Sequence, residues 1–334
     1  MVLAGPAAER AVALAVGQTA GAGGGAMVAT VAWLFPGQGS QEVGMGRSLA
    51  ERYPAAARTF EEADRALGLR LSALCWEGPP EELDRTVNAQ PALLCASIAA
   101  LRAAEEVLGR LEDPAVVLGH SLGEFTALVA AGALALPDAL RLVRRRGELM
   151  QAADAGGGMA AVIGLDAAAI EPALAGTGVV VANDNAPGQV VVSGPTDALE
   201  RAAAPLRQAG ARRVIPLRVS AAFHSPAMRP VAPDLAAAIA ATPFSALRHT
   251  VIANVDAEPH EHARDFPALL ERQVWSPVRW AASVRRASGE GATTFVEFGP
   301  GSVLTGLVKR ILPDAGTANV SDPATLEEAA AVLR

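Results

Sequence analysis

A serine flanked by glycines lies at residues 119–123, Gly-His-Ser-Leu-Gly, the G-x-S-x-G spacing of many nucleophilic serines. The apolar run 115–118 before it predicts a buried strand, and residues 124–131 after it predict a helix. Such a turn would project the Ser121 hydroxyl above the positive N-terminal end of the helix, where developing negative charge is favoured. The pattern therefore predicts a nucleophile, and the competing interpretation is a structural serine in a tight turn.

A serine hydroxyl is a poor nucleophile near neutral pH and needs a base, for which histidine is the usual residue. The chain has five histidines. His120 adjoins Ser121, so its side chain should point another way. Three others lie in polar connecting segments and are expected to be solvated, namely His249, His260 and His262. By elimination His224 is the best base, although a single loop histidine is more often structural or merely exposed.

A third member of a catalytic triad is not evident. No acidic residue between Ser121 and His224 stands out at a predicted strand end, and Asp184 lies in a predicted hairpin, 183–188. The third member orients the imidazole and stabilises its charge, so a backbone carbonyl or an amide side chain could serve instead.

Two further stretches are ambiguous on residue types alone. A glycine-rich loop, 36–41, follows the predicted strand Val28–Phe35, and Gln38 or its backbone would line a site at the carboxyl end of that strand. An ordinary strand-to-helix turn explains the loop equally well. The helix predicted from residue 136 to residue 150 carries a run of arginines that includes Arg146, and such a run is usually a solvated face.

The elements that must position these residues alternate between strands and helices, which indicates an α/β fold with a mostly parallel sheet. Residues 154–221 follow a different order, β-α-β-β-α-β, which is the ferredoxin-like unit. We therefore expect a large subdomain from residues 27–153 and 222–334, with the small subdomain inserted after a glycine-rich break at 154–158. Pro91 is expected in the first turn of a long buried helix, 92–108.

Bulk composition narrows the functional class. The 334 residues are 51% hydrophobic and 19% charged, which indicates a globular chain. The net charge of −7 argues against general nucleic-acid binding. Cys75 and Cys95 cannot form a disulfide framework and are expected to be small core residues, which fits a reducing cytoplasm. No apolar run approaches the length of a membrane span. Residues 1–26 lack the basic start of a signal peptide and are expected to be a disordered extension.

Taken together, the motifs resemble the malonyl-CoA:acyl-carrier-protein transacylase family, over residues 28–313. The resemblance rests on the order and spacing of the segments 37–41, 119–124, 146–150, 183–189, 223–225, 254–255, 273–278 and 299–301. Within the family, residues 156–164 and 219–225 look most like the free-standing acyltransferases that serve polyketide synthases. The resemblance implies an α/β-hydrolase-like large subdomain and a ferredoxin-like small one.

The family pattern implies a ping-pong mechanism through an acyl-Ser121 ester, with His224 as the base. Backbone N–H groups of Gln38 and Leu122 would form the oxyanion hole. The backbone carbonyl of Gln273 would orient His224. Arg146 would bind the free malonyl carboxylate, since a guanidinium matches a carboxylate bidentately. Other substrate-binding residues implied by the family are Gln90, His120, Met150, Asn185 and Phe223.

The implied substrates are malonyl-CoA and an acyl carrier protein or the carrier domains of a polyketide synthase, and no metal or redox cofactor is implied. The sequence leaves the oligomeric state open, and a monomer is the default expectation. Bulky Phe223 would favour malonyl over methylmalonyl, but Ala221 stands where malonyl-type modules usually carry a histidine. Three alternatives stay open: the same transfer for fatty-acid synthesis, an acyl hydrolase of the same fold, and a scaffold that only binds carrier protein. The hydrolase usually lacks the arginine, and a scaffold would need neither Ser121 nor His224.

Overall fold

The computed structural model describes residues 30–153, 156–219 and 221–334. Within these ranges ten strands are present: β1 Val31–Phe35, β2 Val116–Gly119, β3 Gly157–Ile163, β4 Val180–Ala186, β5 Gln189–Pro195, β6 Arg213–Pro216, β7 Val251–Ile252, β8 Pro259–His260, β9 Thr294–Phe298 and β10 Gly316–Val320.

The helices of the same ranges are α1 Arg47–Arg52, α2 Pro54–Leu67, α3 Leu71–Glu77, α4 Pro80–Asp84, α5 Thr86–Leu108, α6 Leu122–Ala130, α7 Leu136–Ala152, α8 Ala167–Leu174, α9 Thr196–Gln208, α10 Ala232–Ala240, α11 Phe266–Gln273, α12 Trp280–Gly289, α13 Val303–Ile311 and α14 Pro323–Leu333. Two 3-10 helices cover Pro226–Val231 and Ala263–Asp265.

The larger sheet has six strands in the order β10-β9-β1-β2-β7-β8. All neighbouring pairs are parallel except β7 with β8. Alternate residues of β1 enter different cores: Val31, Trp33 and Phe35 pack on one face, and Ala32 and Leu34 on the other. In a parallel sheet that is covered on both faces, each strand is apolar along its whole length, and β1 has this pattern.

The smaller sheet has four antiparallel strands in the order β4-β5-β3-β6. One face of this sheet packs on α8 and α9, with Val162, Val190 and Val192 in that core. On the other face, Met159 and Val191 belong to the large core and line the cavity described below. This architecture confirms the predicted fold class of a parallel sheet with an inserted ferredoxin-like unit. The exact subdomain boundaries stay predictions, because residues 154, 155 and 220 lie outside the described ranges.

The long buried helix begins earlier than we predicted. Helix α5 starts at Thr86, so Pro91 lies inside the helix and not in its first turn. Proline at this depth removes the hydrogen bond that its N–H would have donated to the preceding turn. Helix α5 is buried along most of its length, and we attribute its continuity through Pro91 to this packing.

The predicted hairpin loop 183–188 is also wrong. Strand β4 continues through Ala186, and the turn comprises only Pro187 and Gly188. The Asn and Asp residues typical of turns are held in extended backbone by a bridge to the large subdomain. In this bridge Asp184 N–H donates to Val278 O at 3.0 Å, and Val278 N–H donates to Ala182 O at 2.9 Å.

Several elements differ from the sequence expectations or were absent from them. Residues 226–240 form a 3-10 turn followed by α10, and Pro230 and Pro233 explain why they do not form one continuous helix, because proline lacks the donor N–H. Strands β8 and β10 and helices α12 and α14 were not predicted. The proposed extension 1–26, the start of the first predicted strand at Val28 and part of the break at 154–158 lie outside the described residues.

Two further expectations concern the core and the membrane. Cys75 and Cys95 are buried free cysteines, as predicted. Burial raises the pKa of the Cys75 thiol to about 12. Across the three described ranges, every helix falls short of the combined length and apolarity required of a bilayer span.

Candidate active site

The serine turn joins β2 to α6 in a conformation that non-glycine residues rarely adopt. Ser121 has φ 51° and ψ −105°, and α6 begins at the next residue, Leu122. Backbone strain of this kind is typical of functional sites. The turn lifts the hydroxyl out of the carboxyl edge of the sheet, above the N-terminus of α6, which is the predicted elbow geometry.

The flanking glycines are required by space. A Cβ on Gly119 would lie 2.0 Å from the backbone of Gly123, and a Cβ on Gly123 would lie 2.0 Å from the carbonyl oxygen of Phe35. These contacts involve backbone atoms, so no side-chain rotation could relieve them. The spacing in the sequence thus reflects the close approach of β1, β2 and α6.

We expect Gly123→Ala to lower the free energy of unfolding by at least about 2 kcal/mol, because overpacking forces the backbone apart. Urea unfolding followed by circular dichroism measures this loss. Gly306→Ala is the matched control: Gly306 is an exposed residue of α13 with no atom near the added Cβ. That variant should gain roughly 0.5–1 kcal/mol from helix propensity. Equal stability of the two variants would contradict the tight elbow.

Ser121 and His224 form a hydrogen-bonded pair. Ser121 Oγ lies 2.7 Å from His224 Nε2, and His224 Nδ1 lies 2.9 Å from the backbone carbonyl oxygen of Gln273. A carbonyl can only accept, so Nδ1 carries the proton and Nε2 is free to accept the proton of Ser121. The arrangement matches the geometric roles of a triad with a carbonyl in place of the acid. Asp184, the acidic candidate, instead bridges to Val278 through its backbone.

The environment keeps His224 neutral. The pKa of His224 is lowered to about 3, mainly by burial and to a smaller extent by the positive charge of Arg146. The neutral imidazole is the form that accepts a proton, so His224 can accept one at every pH well above that value.

This electrostatic environment predicts an unusual pH profile. Between pH 8 and pH 5.5 we expect kcat/KM to fall by less than about twofold, whereas a base with the ordinary histidine pKa would lose about tenfold. Initial rates across this range test the expectation. Thermal unfolding at each pH is the control. Below about pH 6.5 the unfolded chain binds a proton on His224 that the folded chain does not, so the free energy of unfolding decreases as the pH is lowered. An acid limb centred near pH 6.5 would contradict the buried, neutral base.

Arg146 lies behind the serine as a buried cation. It is 1% exposed, and its Nη2 donates to Ser121 Oγ at 3.1 Å and to Gln273 Oε1 at 2.9 Å. Its Nη1 donates to Gln90 Oε1 at 2.8 Å. Burial lowers the pKa of Arg146 to about 10, so the guanidinium stays charged at neutral pH.

No carboxylate lies within salt-bridge distance of Arg146 among the described residues, whereas Arg141, Arg144 and Arg145 of the same helix each pair with an acid. Helical spacing could have identified the difference. Four apolar residues at i±3 and i±4 share the face of Arg146, namely Leu142, Val143, Leu149 and Met150. A buried guanidinium without a carboxylate partner, next to the Ser121 hydroxyl, is suited to an anionic substrate group.

A cavity of about 510 Å³ opens above the dyad between the two sheets. Nine of the predicted site residues line it: Gln38, His120, Ser121, Leu122, Arg146, Met150, Asn185, Phe223 and His224. Gln90 and Gln273 are fully buried and are not part of this lining. Gln90, which we predicted as pocket wall, instead contacts Arg146 and donates to Met150 Sδ at 3.6 Å.

Two backbone N–H groups are free at the edge of the cavity. Within the described part of the chain, the N–H of Gln38 and the N–H of Leu122 have no hydrogen-bond acceptor. Leu122 is the first residue of α6, so its N–H belongs to the positive end of the helix. The oxyanion-hole role of these two groups stays a prediction that their free donors favour.

Residues of both subdomains meet at His120. Its Nε2 lies 2.8 Å from Asn185 Oδ1 on β4, and its ring packs near that of Trp280. The predicted solvation of the remaining histidines is only partly right. His249 packs edge-on against Trp33, and His260 lies 3.2 Å from Asp256, whereas His262 is exposed.

Two polar residues of the site had no role in the sequence analysis. Asn254, after β7, accepts the Ser121 N–H at its Oδ1 and donates to Gly119 O through Nδ2, both at 2.7 Å. Glu124, in the first turn of α6, is fully buried. The sequence signal for a role of Glu124 was its position as a charged residue in an otherwise apolar helix. For Asn254 it was the position just after a parallel strand.

Comparisons with known proteins show which proteins this chain is similar to. The sequence profile described as acyl transferase domain matches residues 32–326. The malonyl CoA-acyl carrier protein transacylase of Bacillus subtilis (strain 168) is 46% identical over 311 residues, which cover 91% of this chain and 97% of that protein. The polyketide biosynthesis protein ThaF of Burkholderia thailandensis is 44% identical over 295 residues, which cover 86% of this chain and 25% of ThaF.

Among solved structures, a malonyl-transacylase in complex with its acyl-carrier protein from a type II polyketide synthase has a TM-score of 0.87. The two chains are 42% identical, and the aligned residues cover 90% of this chain and 99% of the other. The similarity therefore extends across both sheets and the cavity between them.

Proposed function

The chain belongs to the acyl transferase domain family, and we propose that it transfers a malonyl group from malonyl-CoA, through an ester on Ser121, to the phosphopantetheine thiol of an acyl carrier protein. The full-length similarity to a malonyl CoA-acyl carrier protein transacylase supports this assignment of substrate and acceptor. The complex of a similar transacylase with its carrier protein supports the same partner.

One observation carries the proposal for the acyl group: a charged Arg146 lies 3.1 Å from the nucleophilic oxygen. An uncharged acyl chain would leave this guanidinium without an anionic partner in a buried site, which is costly. The distal carboxylate of a malonyl group supplies that partner. Arg146 would then exchange its hydrogen bond to Ser121 for one to the substrate.

In the first half-reaction, Ser121 Oγ attacks the thioester carbonyl while His224 Nε2 takes the hydroxyl proton. The carbonyl oxygen becomes an oxyanion, which the N–H groups of Gln38 and Leu122 would stabilise. Collapse of the tetrahedral intermediate breaks the C–S bond, and His224 returns the proton to the leaving CoA sulfur. The Gln273 carbonyl stabilises the imidazolium that exists between these two transfers.

In the second half-reaction, the phosphopantetheine thiol gives its proton to His224 and attacks the malonyl-Ser121 ester. The C–O bond to Ser121 breaks, and the serine oxygen recovers the proton from His224. Atoms and charge balance over the cycle without a metal ion or redox cofactor, and we propose that none takes part.

The size of the acyl group is proposed to be limited by Phe223 and Met150, which line the cavity beside the dyad. Phe223 is buried and immediately precedes His224, so a branch on the malonyl carbon would meet the aromatic ring. This supports malonyl over methylmalonyl. Ala221, which replaces the histidine usual in malonyl-type modules, is fully buried and does not line the cavity.

The destination of the malonyl group is the finer part of the proposal. A polyketide carrier is supported by the 44% identity to ThaF and by the polyketide carrier bound in the similar solved complex. A carrier of fatty-acid synthesis is the alternative, because the 46% identity to a malonyl CoA-acyl carrier protein transacylase points to an acyl carrier protein and does not specify its pathway. A kcat/KM for one carrier at least about tenfold above that for the other would decide between them.

Transfer is distinguished from hydrolysis by the fate of the acyl-enzyme. We expect wild-type protein, given malonyl-CoA and carrier protein together, to load the carrier faster than it releases free malonate. Chromatography of both products over time measures the ratio, and Ser121→Ala provides the background. Faster release of malonate would replace the transferase proposal by the hydrolase alternative.

A further inference from the structure

Glu124 is a fully buried carboxyl group that the mechanism above does not use. Its Oε2 accepts two hydrogen bonds, from the backbone N–H of Asn254 at 3.0 Å and from Gln273 Nε2 at 2.8 Å. Its Oε1 has no hydrogen-bond partner in the described part of the chain. Burying a carboxyl group is costly unless its contacts compensate. The burial of Glu124 with one unpaired oxygen therefore calls for an explanation.

Both partners of Glu124 hold the strained peptide of Ser121. Asn254 Oδ1 accepts the Ser121 N–H at 2.7 Å, and Gln273 Nε2 donates to the Ser121 carbonyl oxygen at 2.9 Å. The Ser121 φ of 51° is unfavourable without such restraints. Glu124 therefore holds the backbone of Asn254 and the side-chain amide of Gln273, and the amide side chains of these two residues hold the Ser121 peptide from either side.

Gln273 extends the same network to the other reacting groups. Its backbone carbonyl accepts from His224 Nδ1, and its Oε1 accepts from Arg146 Nη2. The orientation of the Gln273 amide is set by its partners, because Nε2 faces two acceptors and Oε1 faces a cation. A rotation of Gln273 would disturb the base, the nucleophile and the guanidinium together.

We propose that Glu124 is a positioning residue for acyl transfer. It acts through Asn254 and Gln273 to hold Ser121, His224 and Arg146 in the relative positions that the reaction needs. The use of malonyl-CoA as the substrate in the test below rests on the proposed function. The required property is an acceptor oxygen, not a negative charge, since a neutral carboxyl also accepts at its carbonyl oxygen. Burial raises the pKa of Glu124 to about 7, opposed by the hydrogen bonds from Gln273 and Asn254.

The test compares Glu124→Gln with Glu124→Met. Glutamine keeps an acceptor oxygen and places its NH₂ at the unpaired Oε1 position, so its acylation rate constant should stay within about threefold of wild type. Methionine fills the space without an acceptor, and its rate constant should fall roughly 10- to 100-fold with KM changed by less than about threefold. If the methionine variant does not fold, Glu124→Leu, which also lacks an acceptor oxygen and leaves little room for a water, takes its place.

Two readouts separate this inference from the proposed function. Rapid-quench acylation by malonyl-CoA tests both, whereas labelling of Ser121 by a fluorophosphonate, a general serine reagent, tests the positioning alone. Thr126→Val is the matched control: Thr126 is a buried residue of the same helix whose Oγ1 has no partner among the described residues. We expect unchanged labelling for this variant.

Slower labelling of Glu124→Met than of Thr126→Val, at equal thermal stability, supports the inference. Wild-type rates in Glu124→Met would overturn it, and so would equal losses in the glutamine and methionine variants, because the charge would then matter and not the acceptor. Failure of wild-type protein to react with malonyl-CoA, with normal fluorophosphonate labelling, would instead overturn the proposed substrate.

Discussion

Ser121→Ala should reduce malonyl transfer to a carrier protein by at least about 10⁴-fold, since removing the nucleophile removes the covalent route. In wild-type protein His224 Nε2 is 2.7 Å from the Ser121 hydroxyl, and no other hydroxyl forms a hydrogen bond with that imidazole among the described residues. The alanine variant keeps the cavity and Arg146, so it should still bind malonyl-CoA. Steady-state transfer rates and calorimetric binding measure the two effects separately.

Ser97→Ala is the matched control for this prediction, because Ser97 is a buried serine of α5 that does not line the cavity and whose Oγ has no hydrogen-bond partner among the described residues. We expect its transfer rate to stay within about threefold of wild type. Transfer by Ser121→Ala at more than a few per cent of the wild-type rate would mean that another group carries the acyl chain, and the elbow would then be structural.

The second large effect should come from Arg146→Ala. Loss of the charge-assisted pair with the malonyl carboxylate should lower kcat/KM for malonyl-CoA by roughly 10²- to 10⁴-fold. Acetyl-CoA has no such carboxylate, so its kcat/KM should change much less and the preference for malonyl should collapse. Competition between the two thioesters, followed by mass analysis of the acyl-enzyme, measures this ratio.

Two variants control for effects on folding and charge. Arg145→Ala removes the neighbouring arginine, which pairs with Glu148 at the surface, and should leave both activities unchanged. Arg146→Lys keeps the charge but cannot reproduce the planar fork, so it should recover only part of the malonyl activity. An unaltered preference for malonyl in Arg146→Ala would remove the guanidinium from the proposed carboxylate site.

Local chemistry in the sequence was sufficient to predict the elbow. Gly119 and Gly123 are needed because added Cβ atoms would meet backbone atoms, and that requirement is visible as spacing. His224 could be reached by elimination because few histidines compete. The alternation of strands and helices likewise predicted both sheets, since each period reflects which faces are buried.

Tertiary packing decided what local patterns could not. Asn183 and Asn185 resemble turn residues, yet a backbone bridge to Val278 holds β4 extended and places both at the cavity. Pro91 resembles the start of a helix, and long-range burial carries α5 past it. A backbone carbonyl such as that of Gln273 has no residue-type signature, so only the family resemblance indicated its role.

The acyl-enzyme itself is the most direct test of the central claim, that Ser121 accepts a malonyl group selected by Arg146. Purified wild-type protein should be mixed with equal amounts of malonyl-CoA and acetyl-CoA, quenched in acid, and examined by intact-mass and peptide mass spectrometry. We predict a malonyl adduct on the peptide that contains Ser121, in clear excess over acetyl. An unmodified protein, or a predominantly acetylated one, would contradict the account.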